Sequence, residues 1–312
     1  MIAHLTQNVL WALGGVVLVL VVASVIVALL CVARRDRDYS ELKLRMRSWW
    51  WMIGIFFGAI LLSPTASVVF LGLVSFLAFK EYLSLIATRR ADRRALFWAY
   101  LAIPIHFYWV GIAWYGMFII FIPVYMFLLL PLRMLIIGET EGFLRAASTL
   151  HWGMMTTVFS LSHMAYLLVL DPAKNPAGGG AGLLLYLVFL TQFNDVAQYT
   201  WGKLFGRHKV VPKVSPKKTW EGLIGGNLTT LVLAVFVAPY LTPFSMLEAA
   251  GAGLIIGVFG FIGDVTISAL KRDIGVKDCG TLIPGHGGIL DRIDSLTYTA
   301  PLFFHYLYYL YY

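Results

Sequence analysis

The residues able to do chemistry crowd into one stretch of this 312-residue chain, "KRDIGVKDCGTLIPGHGGILDRID", residues 271–294. Lys271, Arg272, Asp273, Lys277, Asp278, Asp291, Arg292 and Asp294 are ionised there, and His286 adds a further charge when protonated. Carboxylate oxygens, a Gly-rich turn and Lys/Arg side chains together suit magnesium and phosphates, because carboxylates hold the hard cation while cations meet phosphate oxygens. Pro284-Gly285-His286-Gly287-Gly288 allows tight turns with positive φ, whose N–H groups can converge on an anion. Asp291 and Asp294, spaced i, i+3, predict a shared face at the start of the last helix. His286 can act as a general base, but a phosphate monoester with a second pKa of about 6 is already mostly ionised near neutrality. His286 therefore reads better as a phosphate donor or loop organiser.

Two more carboxylates and one basic loop complete the set. Asp264 shares a narrow helix face with Gly253, Gly257, Gly260, Ser268 and Lys271, since offsets of 0, 4, 7, 11, 15 and 18 stay in phase. Glycines on such a face let a neighbouring helix approach closely. A carboxylate inside a span costs roughly 2.5–3.5 kcal/mol, so a packing seam alone does not need Asp264. Asp195 lies within "LTQFNDVAQYTWGKLFG" beside Gln192, Asn194 and Gln198, about ten residues from the inner end of its helix. A hydrogen-bonded cluster between helices is the structural alternative for that group. The loop "RHKVVPKVSPKKTWEG" carries Arg207, Lys209, Lys213, Lys217 and Lys218. Its Ser215-Pro216-Lys217-Lys218 turn fixes the backbone and follows it with two ammonium groups, which suits a phosphate clamp.

These residues must be positioned by membrane helices. The chain is 60% hydrophobic and 13% charged, against roughly 45–50% and about 25% in soluble domains. Hydropathy predicts an all-α polytopic membrane protein with about ten spans, at 9–33, 49–63, 65–87, 95–111, 113–137, 151–170, 183–205, 223–241, 246–270 and 293–312. The first has no Lys or Arg ahead of it and is too long for the core of a cleavable signal peptide. Alternating the sides leaves only Lys174, of 24 Lys and Arg, away from the face formed by links 34–48, 88–94, 138–150, 206–222 and 271–292. Basic loops stay cytoplasmic, so the site is expected at the cytoplasmic face with both termini outside. The +8 net charge is a topology signal, and nucleic acid is not needed to explain it. Cys31 and Cys279 lack metal-ligand spacing and read as two free thiols. No internal repeat supports an inverted-repeat transporter.

At this point the residues resemble a known family. Ser268-x-x-Lys271-Arg272, Lys277-Asp278, Pro284-x-His286-Gly287-Gly288 and Asp291-Arg292-x-Asp294 look like the signature of the phosphatidate cytidylyltransferases, at every spacing across 27 residues. "GKLFGRHK" and "SPKKTWEG" also resemble segments of that family, and the likeness runs through about 190–312. There are two departures. The common Asp-x-x-Ala-Tyr is here Asp195-x-x-Gln198-Tyr199, and an extra span with the basic segment "RRDRDYSELKLRMR" precedes the rest, which marks a divergent branch.

The resemblance implies an enzyme that joins CTP to phosphatidate, giving CDP-diacylglycerol and pyrophosphate in phospholipid synthesis. It implies Mg2+, alone or with a second cation, held by Asp264 and Asp291. Lys271, Arg272, Lys277 and Arg292 would contact phosphates, and Asp278 and Asp294 would orient them, with His286 in the same catalytic group. Asn194, Asp195, Ser215, Lys217, Lys218, Ser268, Gly287 and Gly288 are the expected substrate-binding residues. A homodimer in a bacterial inner membrane is also implied. Residues 1–48 form the extra segment, 49–182 an N-terminal bundle and 183–312 the catalytic region. The competing classes are a CTP-dependent lipid-alcohol kinase and an ion-coupled transporter.

Overall fold

The computed structural model describes residues 4–33, 38–89 and 92–312. Arg34, Arg35 and Arg37 of the basic segment, and Arg90, lie outside the described residues. Long apolar stretches leave the backbone no partner but itself, and the described residues accordingly form helices with no named strand. They are α1 (Gln7–Ala33), α2 (Ser40–Leu62), α3 (Pro64–Leu85), α4 (Arg93–Gly111) and α5 (Tyr115–Leu135). Then come α6 (143–167), α7 (Gly179–Phe205), α8 (Trp220–Leu241), α9 (Met246–Asp273), the single turn α10 (Leu290–Ile293) and α11 (Leu296–Tyr311). Two π-helical stretches, Phe121–Met126 and Met155–Phe159, interrupt α5 and α6.

Among the described residues each of the ten expected spans overlaps a helix. Six of these helices, α1, α3, α5, α7, α8 and α9, are long and apolar enough to cross a bilayer. Two of the other four miss for identifiable reasons. The 16-residue α11 falls short of about 20 residues, and α2 begins with "SELKLRMR". That second helix corrects an expectation. It starts at Ser40 rather than 49, because Glu, Lys, Leu, Arg and Met are strong helix formers and continue the rod through the basic segment.

The C-terminal helices α7, α8, α9 and α11 pack together, and α11 also packs on α6 of the N-terminal group. Small residues set these distances. A Cβ on Gly253 would lie 2.7 Å from Ala234, and one on Gly257 would lie 2.1 Å from the Asn227 Oδ1. The glycine face of α9 is therefore a packing seam against α8. Gln198, the bulky departure, fits for the same reason: a Cβ on Gly226 would come within 2.3 Å of its Cγ.

Links gather at two opposite ends. At one, Arg89 meets the 139–141 link, Arg272 donates to the Val214 carbonyl, and Ser48 donates to the Pro284 carbonyl. At the other, Thr6 donates to the Ala177 carbonyl, Asn175 to Leu241 and Tyr312 to Asp171. Lys174 lies at this second end. In spheroplasts, an impermeant maleimide should label either K174C or K213C, never both. Labelling of both from one side would overturn this arrangement.

Candidate active site

The signature loop between α9 and α10 is organised around Asp291. Its Oδ1 accepts from the Lys271 Nζ at 2.8 Å, and its Oδ2 accepts from the N–H of Cys279 at 2.7 Å and of Gly288 at 3.0 Å. The side chain is 5% exposed. Burial pushes this carboxyl up, but the Lys271 ammonium and the two N–H groups outweigh it and hold it below the usual carboxylate range. The stability it contributes is present above its unfolded pKa and lost as pH falls through the lowered folded value.

Sequence reasoning missed the second anchor. Glu81, near the end of α3, accepts from the N–H of Ile289 at 2.9 Å and of Leu290 at 3.0 Å, capping α10 from 208 residues away. Its only signal in "AFKEYL" was a charge near a helix end. Gly288 is explained by this contact, since a Cβ there would sit 1.9 Å from the Glu81 Oε1.

The turn itself behaves as its residues require. Gly285 and Gly287 have φ of 74° and 82°, values that favour glycine, and Ile283 pairs with Gly287 across it. Of the Pro284–Gly288 turn expected to converge on an anion, the Gly288 N–H is instead taken by Asp291, and the nearby N–H groups of Cys279, Ile289 and Leu290 likewise donate to Asp291 and Glu81. Gly288 thus serves the loop's own carboxylates rather than a substrate.

A second polar group forms where α7, α9 and α11 meet. Asp195 accepts from the Ser295 Oγ at 3.0 Å, and Asp264 is ion-paired with Lys218 and accepts from Ser268 at 3.3 Å. Asp294 accepts from the Ser295 N–H at 2.8 Å, and its charge interacts with those of Asp264 and Asp195. Asp291 thus bonds within the signature loop, and Asp294 bonds at the start of α11. Asn194 is a further correction. It is fully buried, donating to the Gly257 carbonyl at 3.2 Å and accepting from Thr230 at 3.1 Å, so both ends of its amide hold helices together.

Two cavities divide the remaining residues. The first, about 410 Å³, is lined by Asp195, Gln198, Lys203, Lys209, Ser215, Lys217, Lys218 and Asp264 among others. Its basic wall is the 206–219 link, where the Lys218 N–H donates to the Ser215 carbonyl to close the turn. Thr219 caps α8 by accepting from the Gly222 N–H. The second, about 730 Å³, is lined by Lys277, Asp278, His286, Gly287 and Arg292 with Glu41 and Arg45 of α2. The Arg292 carbonyl accepts from the Gln192 amide of α7 at 3.4 Å, so this residue also borders the Asp195 group. Burial, then the Arg292 and Arg45 charges, hold the His286 imidazole below its ordinary pKa.

A divalent cation fits these donors in charge and hardness. One Asp264 oxygen and the Asp291 Oδ1 each already face a lysine ammonium, so these two oxygens sit where a positive partner is stabilised, while the Asp291 Oδ2 stays with the Cys279 and Gly288 N–H groups. Three ligand-type atoms, from Glu81, Cys279 and Asp291, lie within 4.8 Å of one another among the described residues. That cluster suits a cation less well. The carboxylates accept four N–H groups, and burial pushes the Cys279 thiol up.

The model of the cytidylyltransferase family matches residues 43–310. The chain belongs to the cytidylyltransferase family. As such it is a nucleotidyltransferase, and its helices make it an integral membrane enzyme. This cytidylyltransferase is 47% identical over 291 residues to the uncharacterized protein YnbB of Escherichia coli K12, covering 93% of this chain and 95% of that one. It is 45% identical over 140 residues to the phosphatidate cytidylyltransferase of Haemophilus influenzae, covering 42% of this chain and 46% of the relative. The corresponding enzyme of Synechocystis is 47% identical over 114 residues, 36% of this chain and 39% of the relative. The alignments thus span less than half of these two curated enzymes.

Replacing Glu81 tests the joint. Glu81→Ala leaves two N–H groups unpaired, costing about 1–3 kcal/mol for each that stays buried, so the thermal midpoint in detergent should fall. Glu81→Gln, which keeps one acceptor, should fall less, and Gly288→Ala should be at least as damaging as Glu81→Ala. Unchanged melting in both Glu81→Ala and Gly288→Ala would contradict the assignment.

Proposed function

We propose that the cytidylyltransferase transfers the cytidylyl group of CTP to phosphatidate at the cytoplasmic face of a bacterial inner membrane. The observation that carries this reading is the meeting of Asp195, Asp264 and Asp294, at the membrane helices, with Lys218 of the basic loop. A phosphorylated substrate anchored among helices and a soluble triphosphate could meet there. The cytoplasmic orientation is supported by the basic links sharing one end of the fold. The pairing of two copies rests on the resemblance alone, as does the division at residues 48 and 182.

Asp264 and Asp291 would hold Mg2+, which when bound neutralises triphosphate charge and makes the α-phosphorus more electrophilic. Lys217 and Lys218, carried on the closed Ser215 turn, meet phosphate oxygens from one side. Lys271 and Arg292 meet them from the other, and Arg272 braces the basic loop through the Val214 carbonyl. A phosphatidate oxygen attacks the α-phosphorus, the new P–O bond forms, and the bond to the β-phosphate breaks with pyrophosphate leaving. The nucleophile is largely ionised at neutral pH, so no strong base is needed. His286, held in its turn, orients the loop. Catalysis comes from positioning and charge neutralisation.

Isotopic label decides the reaction. With phosphatidate and magnesium, label on the α-phosphate of CTP should enter the lipid, whereas a kinase would transfer the γ-phosphate and a transporter neither. Label from the γ-position in lipid, with α-label left in water, would overturn the proposal. Asp264→Asn should lower turnover on the order of a hundredfold or more with little change in melting, whereas Asp291→Asn should lose both. Asp195→Asn with full activity would assign that carboxylate to packing. EDTA should abolish turnover and magnesium restore it.

A further inference from the structure

The second cavity has a wall that the signature does not supply. Arg45, Ser48 and Trp49, at i, i+3 and i+4 of α2, share one helix face directed at the Gly-rich turn. Ser48 donates to the Pro284 carbonyl at 2.7 Å, and the Trp49 ring meets the His286 ring edge-on with centroids 5.8 Å apart. Gly285 is the close approach: a Cβ there would lie 3.1 Å from the Arg45 Cγ and 3.3 Å from its N. These contacts hold the α2 backbone at Arg45 beside the cavity; its half-exposed guanidinium pairs with Glu41 one turn earlier, and Arg45, Lys277 and Arg292 outnumber Glu41 and Asp278 in the lining. Two buried polar atoms on the cavity's own residues, the Arg292 Nε and the His286 Nδ1, have no partner. An excess of cations with an unpaired guanidinium donor suits a dianion.

The depth of the cavity identifies the source of that anion. Trp50 and Trp51 follow on α2 and are exposed, and such tryptophans sit at the membrane interface. Arg45 lies five to six residues before them, about 8 Å nearer the loop end of the helix. That is the level of lipid phosphates.

We propose that this cavity is a binding site for the phosphate monoester of a lipid headgroup, with Arg45 as its recognition residue. The proposal rests on the cytidylyltransferase reading and divides its two substrates. The lipid phosphate enters beneath α2, while the basic 206–219 loop serves the nucleotide. Arg292 links the two.

Binding to the purified full-length protein in detergent, read by native mass spectrometry, tests this without turnover. The probes are phosphatidate, diacylglycerol with the same chains, inorganic phosphate and CTP. Wild type should retain phosphatidate over diacylglycerol. Arg45→Gln should weaken phosphatidate about tenfold or more, the size of a lost charge-assisted contact, and leave CTP unchanged. Arg45→Lys, which keeps charge but not the fork, should lose less, and it carries the comparison if Arg45→Gln does not fold. Unchanged phosphatidate binding in these variants, or loss of CTP instead, overturns the proposal. Loss of inorganic phosphate alone assigns the cavity to a soluble anion and overturns it too. Absence of α-label transfer would leave Arg45-dependent phosphatidate binding standing, so the two readings fail separately.

Discussion

Four backbone N–H groups and two carboxylates hold the site together. Cys279 and Gly288 donate to Asp291, and Ile289 and Leu290 donate to Glu81. A Gly-rich loop at the end of a membrane helix has little side-chain packing to fix it and much conformational freedom to lose. Buried carboxylates, in turn, are stabilised only where donors surround them. Each problem solves the other here. The loop receives a geometry, and the two negative charges receive hydrogen bonds.

Much of the site's arrangement depends on that joint. Because Glu81 belongs to α3, the N-terminal helices fix the direction of α10, which carries Asp291 and Arg292. Asp291 fixes Lys271 at the end of α9, three residues beyond Ser268 and seven beyond Asp264 on the same face. The two carboxylate groups, one in the loop and one among α7, α9 and α11, are therefore held at a set separation by rigid helices. Preorganised charge costs no rearrangement when phosphates arrive. Gly260 and Gly263 let the helices close: a Cβ on Gly263 would lie 2.5 Å from the Asp294 carbonyl oxygen.

The sequence made some of this legible and left some hidden, for physical reasons. Hydropathy located the helices, six of them long and apolar enough to cross a bilayer, because lipid-facing surface must be apolar along a helix. Spacing located the signature and the two positive-φ glycines of its Pro284–Gly288 turn, because local turn chemistry is written in adjacent residues. Glu81 stayed hidden, since its partners are 208 residues distant and a charge near the end of a span has many explanations. At Asn194 the sequence left two readings open, substrate contact and a hydrogen-bonded cluster between helices, and the structure shows its amide bonded to both neighbouring helices. The start of α2 was hidden because charged residues look like a link until a loop is found beneath them.

The central claim is that the signature loop is formed before substrate arrives. Hydrogen–deuterium exchange on the substrate-free, metal-free protein measures it directly at the amides of Cys279, Gly288, Ile289 and Leu290. The account predicts slow exchange at all four, comparable to the adjoining helices and little changed by CTP and magnesium. Fast exchange at these amides in the free protein, slowing only when CTP and magnesium bind, would contradict it.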